Sequence, residues 1–251
     1  MRKVSIFVAV VLILVLFGAN SFAADKVVLV TGEWEPYTSE KIENYGFFSE
    51  IVTAVFKEIG VEIEYQFLPW KRCELTVKEG KAFATFPYAV SEERKKDFDF
   101  TDNVASSTGR FFFMKSKLKK EVVWENFSDL KDYKLGGTLG YWYEKDFKEA
   151  GLKVDYASSD TTGMEKLYAG RFELLATEEL VGWGLIKKLF PKDIDDFDTL
   201  KKPLNVSELH LMVSKIYPNS SEIKEKFNSG LKSIKEKGIY SEILKKYNLK
   251  E

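Results

Sequence analysis

The chain has 251 residues, a formal net charge of −1, 45% hydrophobic residues, one Cys and one His. So even a charge balance lacks the basic excess that nucleic acid or an anionic membrane surface demands. Cys73 has no partner for an internal disulfide, and one His with one Cys gives no basis for a zinc site, so stability must come from buried apolar surface.

Met1-Arg2-Lys3 precede a nearly unbroken apolar run from Val4 to Phe17, and small residues follow at Ser21 and Ala23. A charged start, a short apolar middle and a small-residue end are the layout of a secretory signal, expected to be cleaved after Ala23. The run is shorter than the roughly 20 apolar residues a spanning helix needs. Cleavage removes Arg2 and Lys3 and takes the net charge to −3. No Cys follows the small residues, so a soluble, lipid-free product in the periplasm is expected.

The rest of the chain alternates strand-like and helix-like segments. Val27–Thr31 is an apolar run suited to a buried strand. Residues 47–59 place Ile51, Val52, Val55, Phe56 and Ile59 on one helical face, and Gly60 ends that helix. A strand at 62–67, a helix at 71–79 closed by Gly80, and a strand at 82–86 complete a β-α-β-α-β run. This alternation predicts a mostly parallel sheet flanked by helices, because parallel neighbours need long crossovers.

After a strand-like stretch at 110–114 and a basic, exposed-looking stretch at 115–121, the alternation starts again. Strands at 134–138, 154–157 and 174–177 alternate with helices at 142–150, 161–169 and 179–189, without any residue-level repeat. Residues 209–213 read as a further strand, and 220–237 and 239–247 as amphipathic helices. Two α/β units joined by two strand-like crossings predict two lobes, one of residues 26–107 with 207–251 and one of 110–205. The crossings near 108–110 and 205–207 are the expected hinge.

No nucleophile–base constellation, phosphate loop, dinucleotide fingerprint or HExxH motif is present. His210 lies inside a strand-like run, and Cys73 lies in an apparent helix, where a packed thiol is the simpler reading. No catalytic residue, cofactor or metal ligand is assigned.

An ordered set of short motifs runs through the chain. It comprises Glu33-Trp34-Glu35-Pro36-Tyr37, Gly46-Phe47-Phe48-Ser49-Glu50, Ser91-Glu92-Glu93-Arg94, Phe98-Asp99-Phe100-Thr101-Asp102, Gly136-Gly137-Thr138-Leu139-Gly140, Leu167-Tyr168-Ala169-Gly170-Arg171 and Gly238-Ile239-Tyr240. With this spacing the chain resembles the family 3 extracellular solute-binding proteins, the polar-amino-acid receptors of ABC importers, over essentially its whole mature length. Leu68-Pro69-Trp70-Lys71-Arg72 looks like a branch of that family whose ligands are less well defined.

The resemblance implies a two-lobed, type II periplasmic binding fold of the α/β class. It also implies a monomer that takes one small amino-acid-like ligand into the cleft and presents it to a membrane permease. Arg94 would hold the ligand's carboxylate, since a guanidinium offers two parallel N–H donors. Trp34, Trp70 and Tyr37 would be aromatic walls, and the turn carrying Tyr141 and Trp142 would offer helix N-terminal amides. Glu178 would accept the ligand's ammonium. Ala89 stands with Pro87 and Tyr88 where the family often has small or hydroxyl residues. Such departures point to a bulky, aromatic or cationic ligand. Two alternatives remain open: a cyclohexadienyl dehydratase-like enzyme with Glu178 or Glu173 as general acid, and a ligand-sensing protein docking to a membrane receptor.

Overall fold

The computed structural model describes residues 26–118 and 120–249, so the segment 1–23 read as a secretory signal lies outside the described residues. The first elements are β1 (Val27–Thr31), α1 (Phe47–Glu58), β2 (Ile63–Phe67), α2 (Trp70–Lys78), β3 (Ala84–Tyr88), α3 (Arg94–Asp97), β4 (Phe98–Phe100) and β5 (Ala105–Met114). There follow β6 (Leu135–Thr138), α4 (Glu144–Glu149), β7 (Val154–Ala157), α5 (Asp160–Tyr168), β8 (Leu174–Glu178), α6 (Glu179–Leu189) and β9 (Phe197–Thr199). The chain ends with β10 (Asn205–Ser214), α7 (Ser220–Glu236) and α8 (Ile239–Lys246).

The strands run in the order β2-β1-β3-β10-β5-β8-β6-β7, with β4 also on β10 and β9 also on β5. β1 lies parallel to β2 and β3, and β6 lies parallel to β7 and β8. β10 and β5 are antiparallel to β3, to β8 and to each other. The result is the two-lobed α/β architecture, each lobe a parallel trio extended by one crossing strand.

Each lobe has its own core on both faces of its strands, because side chains alternate sides along a strand. In the first lobe Leu29 packs with Phe48, Val52 and Phe227, while its neighbour Val30 packs with Cys73, Val77 and Met212. In the second, Phe111 joins Leu135, Tyr143 and Phe147, and Phe112 joins Met164, Phe172 and Ile186. Strands buried on both faces read as the continuous apolar runs seen at 27–31 and 110–114. No helix among the described residues is long and apolar enough to cross a membrane.

Four elements begin two or more residues from where the sequence reading places them, each for a physical reason. The third strand runs from Ala84 to Tyr88 rather than over 82–86. Pro87 lacks an N–H, and it sits where the β3–β10 register shifts between His210 and Met212, so the ladder tolerates it. Both crossing strands begin earlier than their apolar parts, at Ala105 and Asn205. Ala-Ser-Ser-Thr-Gly and Asn-Val-Ser-Glu carry little strand signal, and they are extended because they pair with each other from Ala105↔Leu209 to Gly109↔Asn205. The helix read at 142–150 starts at Glu144, because Tyr143 is tied back into the core: its hydroxyl donates to Ala176 O and accepts from Thr138 N.

Gly136 on β6 is a close-packing position, since a methyl group there would stand 2.2 Å from the Phe172 ring. Gly136→Ala is expected to destabilise the protein by about 1–3 kcal/mol through overpacking. An unchanged urea midpoint in that variant would contradict the packing described.

Candidate functional site

The chain leaves β1 through a tight turn that presents two aromatic rings. Trp34 N donates to Thr38 O at 2.7 Å, Tyr37 N to Trp34 O at 2.8 Å, and Thr38 Oγ1 to Gly32 O at 2.8 Å. Glu33 stiffens the turn by accepting from Ser39 Oγ and Glu40 N. Trp34 and Tyr37 therefore stack at 4.1 Å and 16°, with Tyr37 fully buried and Trp34 half-buried. Trp70 covers the start of the same turn, and Gly32 is what lets it approach, since a Cβ there would lie 2.5 Å from the indole.

Arg94 opens α3, shortly after β3, and its contacts come from the first lobe. Nη1 donates to Ala89 O at 3.0 Å, Nη2 lies 3.6 Å from Glu74 Oε1, and the guanidinium carbon is 4.8 Å from the centre of the Tyr88 ring. Trp70 meets Tyr88 edge to face at 5.7 Å. Ala89 thus contributes through its backbone carbonyl. Burial, reinforced by Glu74, keeps the Tyr88 phenol protonated.

On the second lobe, Asp160 opens α5 after the Ser159 cap and gathers three hydroxyls. Thr138 Oγ1 donates at 2.8 Å, Thr177 Oγ1 at 3.2 Å, and the Tyr141 hydroxyl takes the other carboxylate oxygen. Burial and then Asp160 push the Tyr141 phenol upward, while the Trp34 indole beside it acts in the opposite direction. Trp142 is half exposed and leans on the crossing strand, where a methyl group on Gly109 would lie 3.0 Å from its ring.

Glu178 ends β8 and caps α6: Oε2 accepts from Val181 N at 2.9 Å. Oε1 accepts from Tyr37 Oη of the other lobe at 2.9 Å and, at 3.4 Å, from Thr108 N on the crossing strand. Glu178 is only 5% exposed, and burial outweighs these hydrogen bonds, so its carboxyl is pushed up to about 7. The lobes also meet where Val181 enters the first lobe's core with Leu180 and Leu185 beside it, and at the looser Glu35–Lys188 ion pair at 3.8 Å.

Two cavities flank these contacts. One of about 550 Å³ lies between the 33–36 turn and the second lobe, with Trp34, Asp160 and Leu185 on its walls. Another of about 760 Å³ is bounded by Tyr37, Thr108, Glu178, Lys235 and Tyr240. Both fall within the roughly 300–1,000 Å³ usual for small-molecule sites. Of the residues singled out from sequence, Trp34, Tyr37, Tyr141 and Glu178 come together across the lobes. Trp70, Ala89 and Arg94 form a separate group on the first lobe, and they, Tyr141 and Trp142 line neither cavity.

Sequence reading missed Asp160 and Glu74. Asp160 carried a faint signal, an acid straight after the Ser158-Ser159 pair at a helix start; Glu74, one turn after Trp70, carried none. Among the described residues no three His, Cys, Asp or Glu side chains are grouped as metal ligands. Burial pushes the Cys73 thiol up to about 11, so it stays protonated, and His210 Nδ1 is engaged with Thr101 O at 2.8 Å.

Glu178 gives a pH signature. Between about 4.5 and 7 the unfolded chain has lost this proton and the native state still holds it, so stability falls as pH rises through that window. At about 1.4 kcal/mol per unit, the loss is on the order of 3 kcal/mol. Glu178→Gln keeps the acceptor without the charge, so the stability of that variant should fall less between pH 4.5 and 7 than that of the native protein. Parallel curves from chemical denaturation at several pH values would refute the buried-acid assignment.

Residues 27–250 match the family model of the bacterial extracellular solute-binding proteins, family 3. The chain is 23% identical over 237 residues to the arginine-binding extracellular protein ArtP of Bacillus subtilis, covering 92% of this chain and 88% of that protein. It is 22% identical over 221 residues to the L-cystine-binding protein TcyA of the same organism, covering 86% and 78%. Its fold matches that of an ancestral arginine-binding protein bound to arginine with a TM-score of 0.70, at 24% identity and over 88% of this chain and 97% of that one. By its match over nearly the whole described length, the chain belongs to family 3 of the bacterial extracellular solute-binding proteins.

Proposed function

We propose that this protein is an exported, non-enzymatic receptor that captures one small amino-acid-like ligand between its lobes in the periplasm and delivers it to the permease of an ABC importer. The observation that carries this reading is the meeting of strand ends from two lobes, Tyr37 with Glu178 and Trp34 beside Tyr141, around cavities of ligand size. In α/β folds, ligands bind in crevices at the carboxyl ends of strands.

The lobes comprise residues 26–107 with 207–251 and residues 110–205. The crossings near 108–110 and 205–207 act as the hinge. Arg94 holds the ligand's carboxylate and Glu178 its cationic group, reached when Tyr37 yields its hydrogen bond. Trp34, Trp70, Tyr141 and Trp142 wall the site, and Ala89 leaves room beside Arg94. A ligand touching both lobes binds the closed form better than the open one, and that difference drives closure.

A second reading rests on Glu178. A buried carboxylic acid pushed up to about 7 can act as a general acid at neutral pH. Incubation with prephenate or arogenate separates this reading, since a dehydratase would change their absorbance and a receptor would not.

The relatives' names make L-arginine and L-cystine the first ligands to try, within a panel of amino acids and amines. A ligand bound at 100 times its Kd stabilises the native state by about 2.7 kcal/mol. A rise in melting temperature with at least one of them is expected. Arg94→Ala should abolish most of that response while melting close to the native protein without ligand. An intact response in Arg94→Ala would remove Arg94 from the site, and no response to the whole panel would remove the amino-acid reading.

A further inference from the structure

Arg94 is not a bare cation. Glu74 stands 3.6 Å from its Nη2, on the opposite flank from the Ala89 carbonyl that takes Nη1, and the Tyr88 ring lies under the guanidinium. Glu74 follows Trp70 by four residues on α2, so the two side chains leave the same face of that helix. Trp70, Glu74, Tyr88 and Arg94 therefore form one patch, in which a single carboxylate accompanies the guanidinium. Both charged side chains are partly open to solvent, at 37% for Arg94 and 40% for Glu74, so an arriving ligand can reach them.

A guanidinium has five N–H donors in a planar fork. Ala89 takes one and Glu74 faces another, which leaves donors for a ligand's acceptor group. A ligand carboxylate on those donors comes within a few ångströms of Glu74, where like charges repel. An ammonium next to that carboxylate reverses the effect, because Glu74 then gains a cation to accept from. On the second lobe, the buried Glu178 and the half-buried Asp160 are acids, which do not attract an anion.

We propose that Glu74 is a specificity-determining residue of the ligand site: paired with Arg94, it discriminates against purely anionic ligands and admits zwitterionic or cationic ones. This rests on Arg94 being the ligand's anion partner. The charge of the accepted ligand is thereby set within one lobe, before closure. The second lobe then reads the rest of the molecule.

Acetate, a carboxylate with no ammonium, is the probe. It is titrated into the mature protein while the Arg94 side-chain N–H signal, identified by its loss in Arg94→Ala, is followed by NMR. Glu74→Gln should bind acetate about tenfold more tightly than the native protein, as expected when one nearby negative charge is removed. Glu74→Asp, which keeps the charge, should stay near the native value. Equal acetate affinity in the native and Glu74→Gln proteins overturns the proposal. A gain shared by Glu74→Asp also overturns it, because the cause would then be packing. The readout does not depend on the natural ligand. A failed amino-acid panel and a failed Glu74 effect are therefore separate results, and a gain that persists in Glu74→Gln/Arg94→Ala, read there from the backbone amide signals that acetate shifts, would show that acetate binds away from Arg94 and would overturn both assignments at that residue.

Discussion

The five-residue antiparallel ladder between Ala105–Gly109 and Asn205–Leu209 is the constraint on which the rest of the architecture depends. It joins two lobes with cores around Phe48, Phe86 and Phe227 in one and Phe111, Phe147 and Phe172 in the other, which also touch where Val181 enters the first. Most of its residues are small or polar; of its two larger apolar side chains, Val206 is exposed and Leu209 is buried in the first lobe's core. In the receptor proposed above, a few of the small or polar positions would absorb the dihedral change of lobe closure.

Where the lobes touch, the contacts are of unequal kind. Glu35–Lys188 is an exposed pair at 3.8 Å and contributes little. Tyr37–Glu178 is buried and hydrogen-bonded at both oxygens of the carboxyl, and the burial that strengthens its geometry also makes the charge costly. In the function proposed above, this acid is the group that would receive the ligand's cationic end. Its helix-capping role could be filled by Ser, Thr, Asn or Asp without burying a glutamate.

The Arg94 patch is arranged differently. Its parts come from α2, β3 and α3 of one lobe, and its charge is balanced locally by Glu74. In the function proposed above, this lobe would anchor the ligand and read its charge in the open form, and contacts to the second lobe would favour closure.

Periodicity and punctuation in the chain specified most of the architecture. The face made by Ile51, Val52, Val55 and Phe56, the stops at Gly60 and Gly80, and the helix over 179–189 all rest on local patterns, and local patterns are legible without neighbours. The family resemblance singled out Trp34, Arg94 and Glu178, which remain proposed ligand contacts. What remained hidden depends on residues distant in sequence. Ala105–Gly109 becomes strand only because Asn205–Leu209 lies alongside, and the Pro87 strand survives only because β10 shifts register there. Tyr37 hydrogen-bonds Glu178 across 141 positions, and Glu74 meets Arg94 from another helix. Such pairings follow from how the packed elements are placed in space, and no spacing along the chain encodes that placement.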